Sequence, residues 1–263
     1  MNNKLYEKYA SSYAAVTNNR DFKGQLELIL QTYQPENPCQ SFIELFAGQS
    51  LHAIEAFKKG DIEVWAADSS QEMKELAVSQ GFLKPDHYIV GYLPESILNN
   101  TGNVKFDCIA CLYSAFSAIP MHKVFDLLFY IKPLLSDKGK IFIELHDVFY
   151  TMEYVANPVV TYKEVQNSAG ELIKYAWPSG KIKWDHFSHT AEVPITFNIQ
   201  SAAHSETVEF TSTDHIYSAE EIIFMANLLD YNSRILSTDP VWEDKFPGGI
   251  VLELSLKSAV QST

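Results

Sequence analysis

Phe42-Ile43-Glu44-Leu45-Phe46-Ala47-Gly48-Gln49-Ser50-Leu51-His52-Ala53 runs from an apolar strand, through small residues, straight into a helix. At the carboxyl end of a strand, Ala47, Gly48 and Ser50 let a ligand approach the backbone closely, and the start of the helix offers amides without intrahelical partners. Twenty residues after Gly48, at the end of the next apolar run, stands Asp68. A carboxylate there can accept both hydroxyls of a ribose. The spacing therefore predicts a nucleotide-binding strand, loop and helix.

On both sides of this unit short apolar runs alternate with helical segments. Strands are predicted over 41–46, 62–67, 87–90, 106–112 and 140–145, and helices over 50–59, 70–80 and 122–132. Strands too apolar to have a wet face, separated by helices, imply an α/β, doubly wound, mostly parallel sheet covered on both sides. Before it, Leu5, Tyr9 and Tyr13, then Leu26, Ile29, Leu30 and Tyr33, follow helical spacing, and Pro35 and Pro38 end the stretch. Residues 157–217 change character. Runs 181–184, 192–199 and 207–213 are rich in β-branched and aromatic residues, with turn signals at Ser168-Ala169-Gly170 and Pro178-Ser179-Gly180, which predicts an antiparallel meander. Ser218 and Glu221 form a capping-box pattern that opens a helix running to about Asp230, followed by strands over 233–237 and 250–256. The expected division is a helical cap over 1–37, a core over 38–156 and 218–258, and an antiparallel β insert over 157–217.

The formal charge of −13, with no Lys/Arg run longer than Lys58-Lys59, argues against nucleic acid as the principal partner. No apolar stretch reaches the roughly 18–20 residues that cross a bilayer, and the amino-terminal residues lack the apolar centre of a signal peptide. A membrane partner is therefore not expected, and the chain reads as cytoplasmic. Cys108 and Cys111 sit three apart in a strand, which sends them to opposite faces and argues against a metal or redox pair. His186 and His189 have the same spacing and no third ligand nearby, so no metal is expected.

Two cofactors suit the loop. A dinucleotide would require G-x-G-x-x-G, of which Gly48, Ser50 and Ala53 form a degraded version. S-adenosylmethionine carries no phosphate but an ammonium, a carboxylate, a ribose and an adenine, and Glu44 is placed for the ammonium. Here the sequence resembles the class I S-adenosylmethionine-dependent methyltransferases, over nearly the whole chain. Glu44-Leu45-Phe46-Ala47-Gly48-Gln49-Ser50 stands where that family has E/D-x-G-x-G-x-G. Val64 to Met73 is similar to its second motif, Phe106 to Phe116 to its fourth-strand motif, and Lys132-Pro133-Leu134-Leu135 with Gly139-Lys140 to the lead into strand five. Phe46 and Ser50 replace the first and third glycines, and Gly91-Tyr92 replaces a Gly-Asp. Within the family the nearest likeness is to small-molecule methyltransferases, the amino-sugar N-methyltransferases among them.

The resemblance implies sheet order 3-2-1-4-5-7-6 with the last strand antiparallel, and a helical cap whose Tyr13 folds over the cofactor. It implies that Glu44, Phe46, Ala47, Gly48 and Ser50 cradle the amino-acid end, Asp68 and Ser69 the ribose, Met73, Tyr92 and Leu93 the adenine, and that Leu112 lines the cleft near the sulfonium. The expected reaction is in-line transfer of a methyl group to a small-molecule amine or hydroxyl, in which positioning of the lone pair carries most of the catalysis. His146, at a strand's carboxyl end with an intrinsic pKa suited to a general base, and Tyr113, after the fourth strand, are the expected catalytic residues. Three alternatives remain at this point: a non-catalytic or repurposed S-adenosylmethionine-binding relative, an NAD(P)-dependent oxidoreductase, and a protein-interaction module on this fold.

Overall fold

The computed structural model describes residues 3–33, 38–202 and 204–257, so Pro35 lies outside the described residues. The strand–helix alternation folds as β1 (Ser41–Leu45), α3 (Leu51–Phe57), β2 (Glu63–Asp68), α4 (Gln71–Gln80), β3 (Tyr88–Val90), α5 (Glu95–Asn100), β4 (Phe106–Cys111), α6 (Met121–Ile131) and β5 (Leu135–His146). Helices α1 (Ala10–Thr17) and α2 (Phe22–Tyr33) precede it. After the insert come α8 (Ala219–Leu228), β11 (Tyr231–Ile235), α9 (Pro240–Lys245) and β12 (Gly249–Leu256).

The seven-stranded sheet has the order β3-β2-β1-β4-β5-β12-β11, which is the expected 3-2-1-4-5-7-6. β1 pairs in parallel with β2 and β4, and β12 runs antiparallel to both β5 and β11. Alternation along the strands sends successive side chains to two cores. Ile43, Leu45, Ile141 and Ile143 pack under α6 and α8. Phe42, Val64, Ala66 and Phe142 pack on the other face, against Leu26, Ile29 and Tyr33 of α2 and Ala53 and Ile54 of α3. Cys111 belongs to the first core and Cys108 to the second. The Ser218–Glu221 capping box is formed in full, each partner bonding the other's backbone amide.

The insert is richer than the three runs imply. β6 (Tyr162–Gln166), β7 (Leu172–Ala176), β8 (Lys183–Asp185), β9 (Thr190–Gln200) and β10 (Ser205–His215) form a sheet ordered β10-β9-β7-β6, with β8 also pairing with β9. The pairing is therefore not a simple meander, because β9 takes both β7 and β8 as partners in addition to β10. Helix α7 (Val148–Ala156) bridges the core to the insert. Leu5, Tyr9 and Val16 of the amino-terminal segment share a core with Ile173, Ile195, Phe197 and Phe210, so cap and insert pack on each other beside the sheet. His186 and His189 fall in the turn between β8 and β9 rather than in a strand. Among the described residues no helix is long and apolar enough to cross a membrane, and no group of three His, Cys, Asp or Glu side chains could hold a metal ion.

Candidate active site

A cleft of about 1010 Å³ opens at the carboxyl ends of β1, β2, β4 and β5 and is closed over by α1 and the insert. Single-ligand pockets run to roughly 300–1,000 Å³, so this one has room for a cofactor and a small second molecule. It lies where β1 leads one way to β2 and the other way to β4, the point at which a doubly wound sheet parts its loops.

The loop after β1 has alternating left-handed backbone at Phe46 (φ 55°), Gly48 (φ 50°) and Ser50 (φ 58°). Those are the three positions that the resemblance aligns with glycines. The shape of a glycine loop is thus kept although only the middle residue is glycine. A side chain added at Gly48 would meet nothing within 4 Å, because that position faces open cleft. Phe46 borders the cleft but also packs onto the core, its ring 6.3 Å from that of Phe116, and Tyr92 is 73% exposed at the rim. Neither aromatic ring plugs the hollow. A left-handed conformation costs a non-glycine residue about 1–2 kcal/mol. Ser50 is held there by burial and by donating to Glu44 Oε2 at 3.3 Å. Ser50→Gly exchanges that weak bond for relief of strain and should change stability by no more than about 1 kcal/mol. Ser50→Val puts a β-branched side chain in the same conformation inside a packed site and should cost about 2 kcal/mol or more. Urea denaturation of the two variants checks both values.

Asp68 ties the loop to the second strand. Its Oδ2 accepts from the Gly48 amide and its Oδ1 from the Ser70 amide, each at 2.9 Å. A carboxylate has about four acceptor positions, so capacity remains for a diol. Burial raises its pKa above the usual carboxylate range, with backbone hydrogen bonds opposing and the nearby Glu44 charge adding to the rise. The Tyr88 hydroxyl donates to the Gly48 carbonyl and so pins the peptide that follows the same glycine.

Glu44 is more committed than its sequence position implies. Its Oε1 lies 2.7 Å from His52 Nδ1, and its Oε2 accepts from the Ala53 amide at 3.0 Å as well as from Ser50. His52 Nε2 is in turn 2.9 Å from Gln25 Oε1, whose amide group donates to the Lys245 carbonyl. This buried chain joins α2, α3 and β1. It leaves Glu44 one free acceptor direction toward the cleft it borders.

Of the other expected site residues, Tyr13, Ala47, Ser69, Leu112, Tyr113 and His146 line the cleft. Tyr13 stands edge-on to Tyr6 at 4.9 Å and lies 6.2 Å from Trp177, which makes an aromatic wall between cap and insert. Met73 is buried on the inner face of α4, and Leu93 packs against the core on one face of the sheet, so neither borders the cleft, and Ser50 shapes the loop from behind. The cleft also holds Asp214 and Ser212 of β10, Lys163 of β6, and Tyr175 and Trp177. Asp214 was open to notice as an acid in a β-branched run, and His52 as a polar residue in an otherwise apolar stretch. Nothing local in the sequence places either one in the cleft.

The lining is acidic. Glu7, Glu44, Asp68, Glu72 and Asp214 face a single lysine, Lys163, with His52 and His146. Burial pushes the His146 pKa below its ordinary value, and the charges of Asp214 and Glu144 pull the other way. Burial raises Asp214, while Ser212, which donates to it at 2.6 Å, and His146 lower it.

The architecture has many solved counterparts. An S-adenosylmethionine-dependent methyltransferase from Clostridium acetobutylicum superposes with a TM-score of 0.71 at 18% identity, over 95% of this chain and 98% of that one. The sugar N-methyltransferase KedS8 from a Streptoalloteichus species gives 0.72 at 12% identity, over 95% and 93%. The S-adenosylmethionine-bound amino pentose methyltransferase CalS10 from Micromonospora echinaspora gives 0.68 at 13%, over 94% and 96%. The fold is that of the S-adenosylmethionine-dependent methyltransferases. No protein-family profile and no curated protein sequence matches the chain. This methyltransferase fold includes the cap and the insert, since the superpositions cover nearly the full length of both partners.

Proposed function

We infer that the chain is an S-adenosylmethionine-dependent methyltransferase acting on a small-molecule amine or hydroxyl. The observation that carries this reading is the Asp68 carboxylate bonded to the Gly48 amide across an open, left-handed loop. That bond sets a ribose acceptor directly beside a bare backbone cradle. The acidic lining and the Tyr6–Tyr13–Trp177 wall suit a cation, which a sulfonium is. When bound, the cofactor supplies a methyl group already activated by positive sulfur.

The chain's own residues would do the rest. Asp68 and Ser69 hold the ribose, Gly48 and Ala47 the backbone side of the amino-acid end, with Glu44 behind them. Tyr13 and the insert exclude water. The acceptor sits between Tyr113, Ser114, His146 and Asp214, where His146, kept neutral by burial, takes a proton from it. An acidic cleft favours an amine over a hydroxyl acceptor. Two structural neighbours, a sugar N-methyltransferase and an amino pentose methyltransferase, support that preference. Phe46 and Ser50 do not weaken the reading, since both adopt the glycine conformation.

Calorimetric titration with S-adenosylhomocysteine tests the cofactor, with NADH as the control. Binding of the first alone, with quenching of Trp177 fluorescence, is the expected result. Methyl transfer to an amino sugar but not to its hydroxyl analogue tests the acceptor. Tight binding of NADH with no response to S-adenosylhomocysteine would overturn the reading.

A further inference from the structure

After β4 the chain turns through Tyr113 (φ 61°) and Ser114 (φ 53°) before a short 3₁₀ turn over Ala115–Ala118. Two consecutive left-handed residues, neither of them glycine, form an expensive turn that persists only if its surroundings hold it. Tyr113, Ser114, Ala115 and Ser117 all line the cleft, so the turn is a wall of the site.

What holds it comes largely from the amino-terminal cap. Glu144 of β5, with a side chain only 2% exposed, accepts from the Tyr113 amide at 2.7 Å through Oε2. Its Oε1 accepts from Arg20 Nη1 at 2.6 Å. The Arg20 guanidinium lies 3.9 Å from the centre of the Tyr113 ring, and the Tyr113 hydroxyl donates to Asn19 Oδ1 at 3.1 Å. Asn19 and Arg20 stand in the link between α1 and α2, directly after the helix that carries Tyr13 over the cleft. Lifting α1 away would break the ion pair, the stacking and the hydroxyl bond together, and would leave Glu144 buried without its countercharge.

We propose that Arg20 is a positioning residue that couples seating of the cap over the cleft to formation of the Tyr113–Ser114 turn. The wall facing the acceptor is then complete only when the cap is closed. The consequence for methyl transfer rests on the function proposed above; the coupling itself does not.

A purely structural role, neutralising Glu144, makes a different prediction. In the double variant R20M/E144Q no charge is buried, and the glutamine oxygen still accepts from the Tyr113 amide. Neutralisation alone predicts that this variant behaves like the parent. Coupling predicts that, without any ligand, hydrogen exchange rises at least about tenfold both in residues 10–17 and in residues 113–118, with β1 amides unchanged. It also predicts S-adenosylhomocysteine dissociation at least about tenfold faster by stopped-flow tryptophan fluorescence. Arg20→Lys, which keeps the charge but loses the planar stack, should fall between the two. Parental exchange in both segments of the double variant, or a rise in one segment without the other, would overturn the proposal. Failure of the parent protein to bind S-adenosylhomocysteine would count against the cofactor reading alone, since the exchange measurement needs no ligand.

Discussion

Replacing Asp68 with alanine is expected to weaken S-adenosylhomocysteine binding about 100-fold or more in calorimetric titration. Two hydrogen bonds from a diol to an ionised carboxylate are worth roughly 1.5–3 kcal/mol each, and about 1.4 kcal/mol is a factor of ten in affinity. The alanine also releases the Gly48 and Ser70 amides, both now bonded to this carboxylate at 2.9 Å, so the cradle loses its anchor together with its ribose acceptor. Asp68→Asn keeps one acceptor oxygen and should lose less. Unchanged affinity in both variants would remove the ribose from this position.

The electrostatics of Asp68 also bear on which ligand the cleft prefers. Burial raises its pKa, so the folded chain holds that proton more tightly than the unfolded chain does. The sign follows from linkage: the stability this group contributes is present at low pH and is lost as pH rises through the carboxylate range. At neutral pH its ionised form is a cost to the folded protein that the backbone amides offset only in part. A cation entering the cleft relieves that cost, and an anionic pyrophosphate would add to it. A carboxylate at this position serves the ribose of either cofactor, so the discrimination comes from the acidic lining as a whole, which favours a sulfonium over a pyrophosphate.

Much of this was legible before the structure. The doubly wound sheet followed from apolar runs at strand length alternating with capped helices, and the strand order followed from the resemblance. Residues 42–53 and Asp68 mark the cofactor side because a strand, a small-residue loop and a helix are contiguous, and because one carboxylate closes the next strand. The acceptor side was hidden for a physical reason. Asp214, Lys163 and Trp177 reach the cleft only through pairing of β6, β7, β9 and β10, which is set by contacts far apart in sequence. β6 is hard to read in the sequence because Tyr162-Lys163-Glu164-Val165-Gln166 is mostly exposed and lacks an apolar face. α7 carries Val148, Met152 and Val155 at i, i+4 and i+7, but Phe149, Tyr150 and Tyr154 put apolar side chains on its other faces and blur that stripe. Glu44 and Glu144 occupy inward positions that alternation reserves for core residues. A carboxylate there signals a partner from elsewhere, in these cases His52 and Arg20.

His146→Ala should lower kcat by about 10²–10⁴-fold near neutral pH, the range that removal of a general base produces, with a smaller change in the KM for the cofactor. Burial depresses the His146 pKa, so the ring is neutral and able to accept a proton across the neutral range. In the parent protein kcat/KM should therefore rise with pH on the acid side and level off below about pH 6.5, the ordinary histidine value. Asp214 raises the His146 pKa by its charge, so Asp214→Asn should move that acid limb to lower pH. Linkage fixes a second sign. Below the ordinary histidine range the unfolded chain binds a proton that the folded site resists, so stability should fall as pH drops through this region, and His146→Ala should flatten that slope. The two readouts separate the chemistry from the fold. A variant that loses the stability slope but retains both the parental rate and its acid limb would assign His146 to structure and return proton removal to solvent.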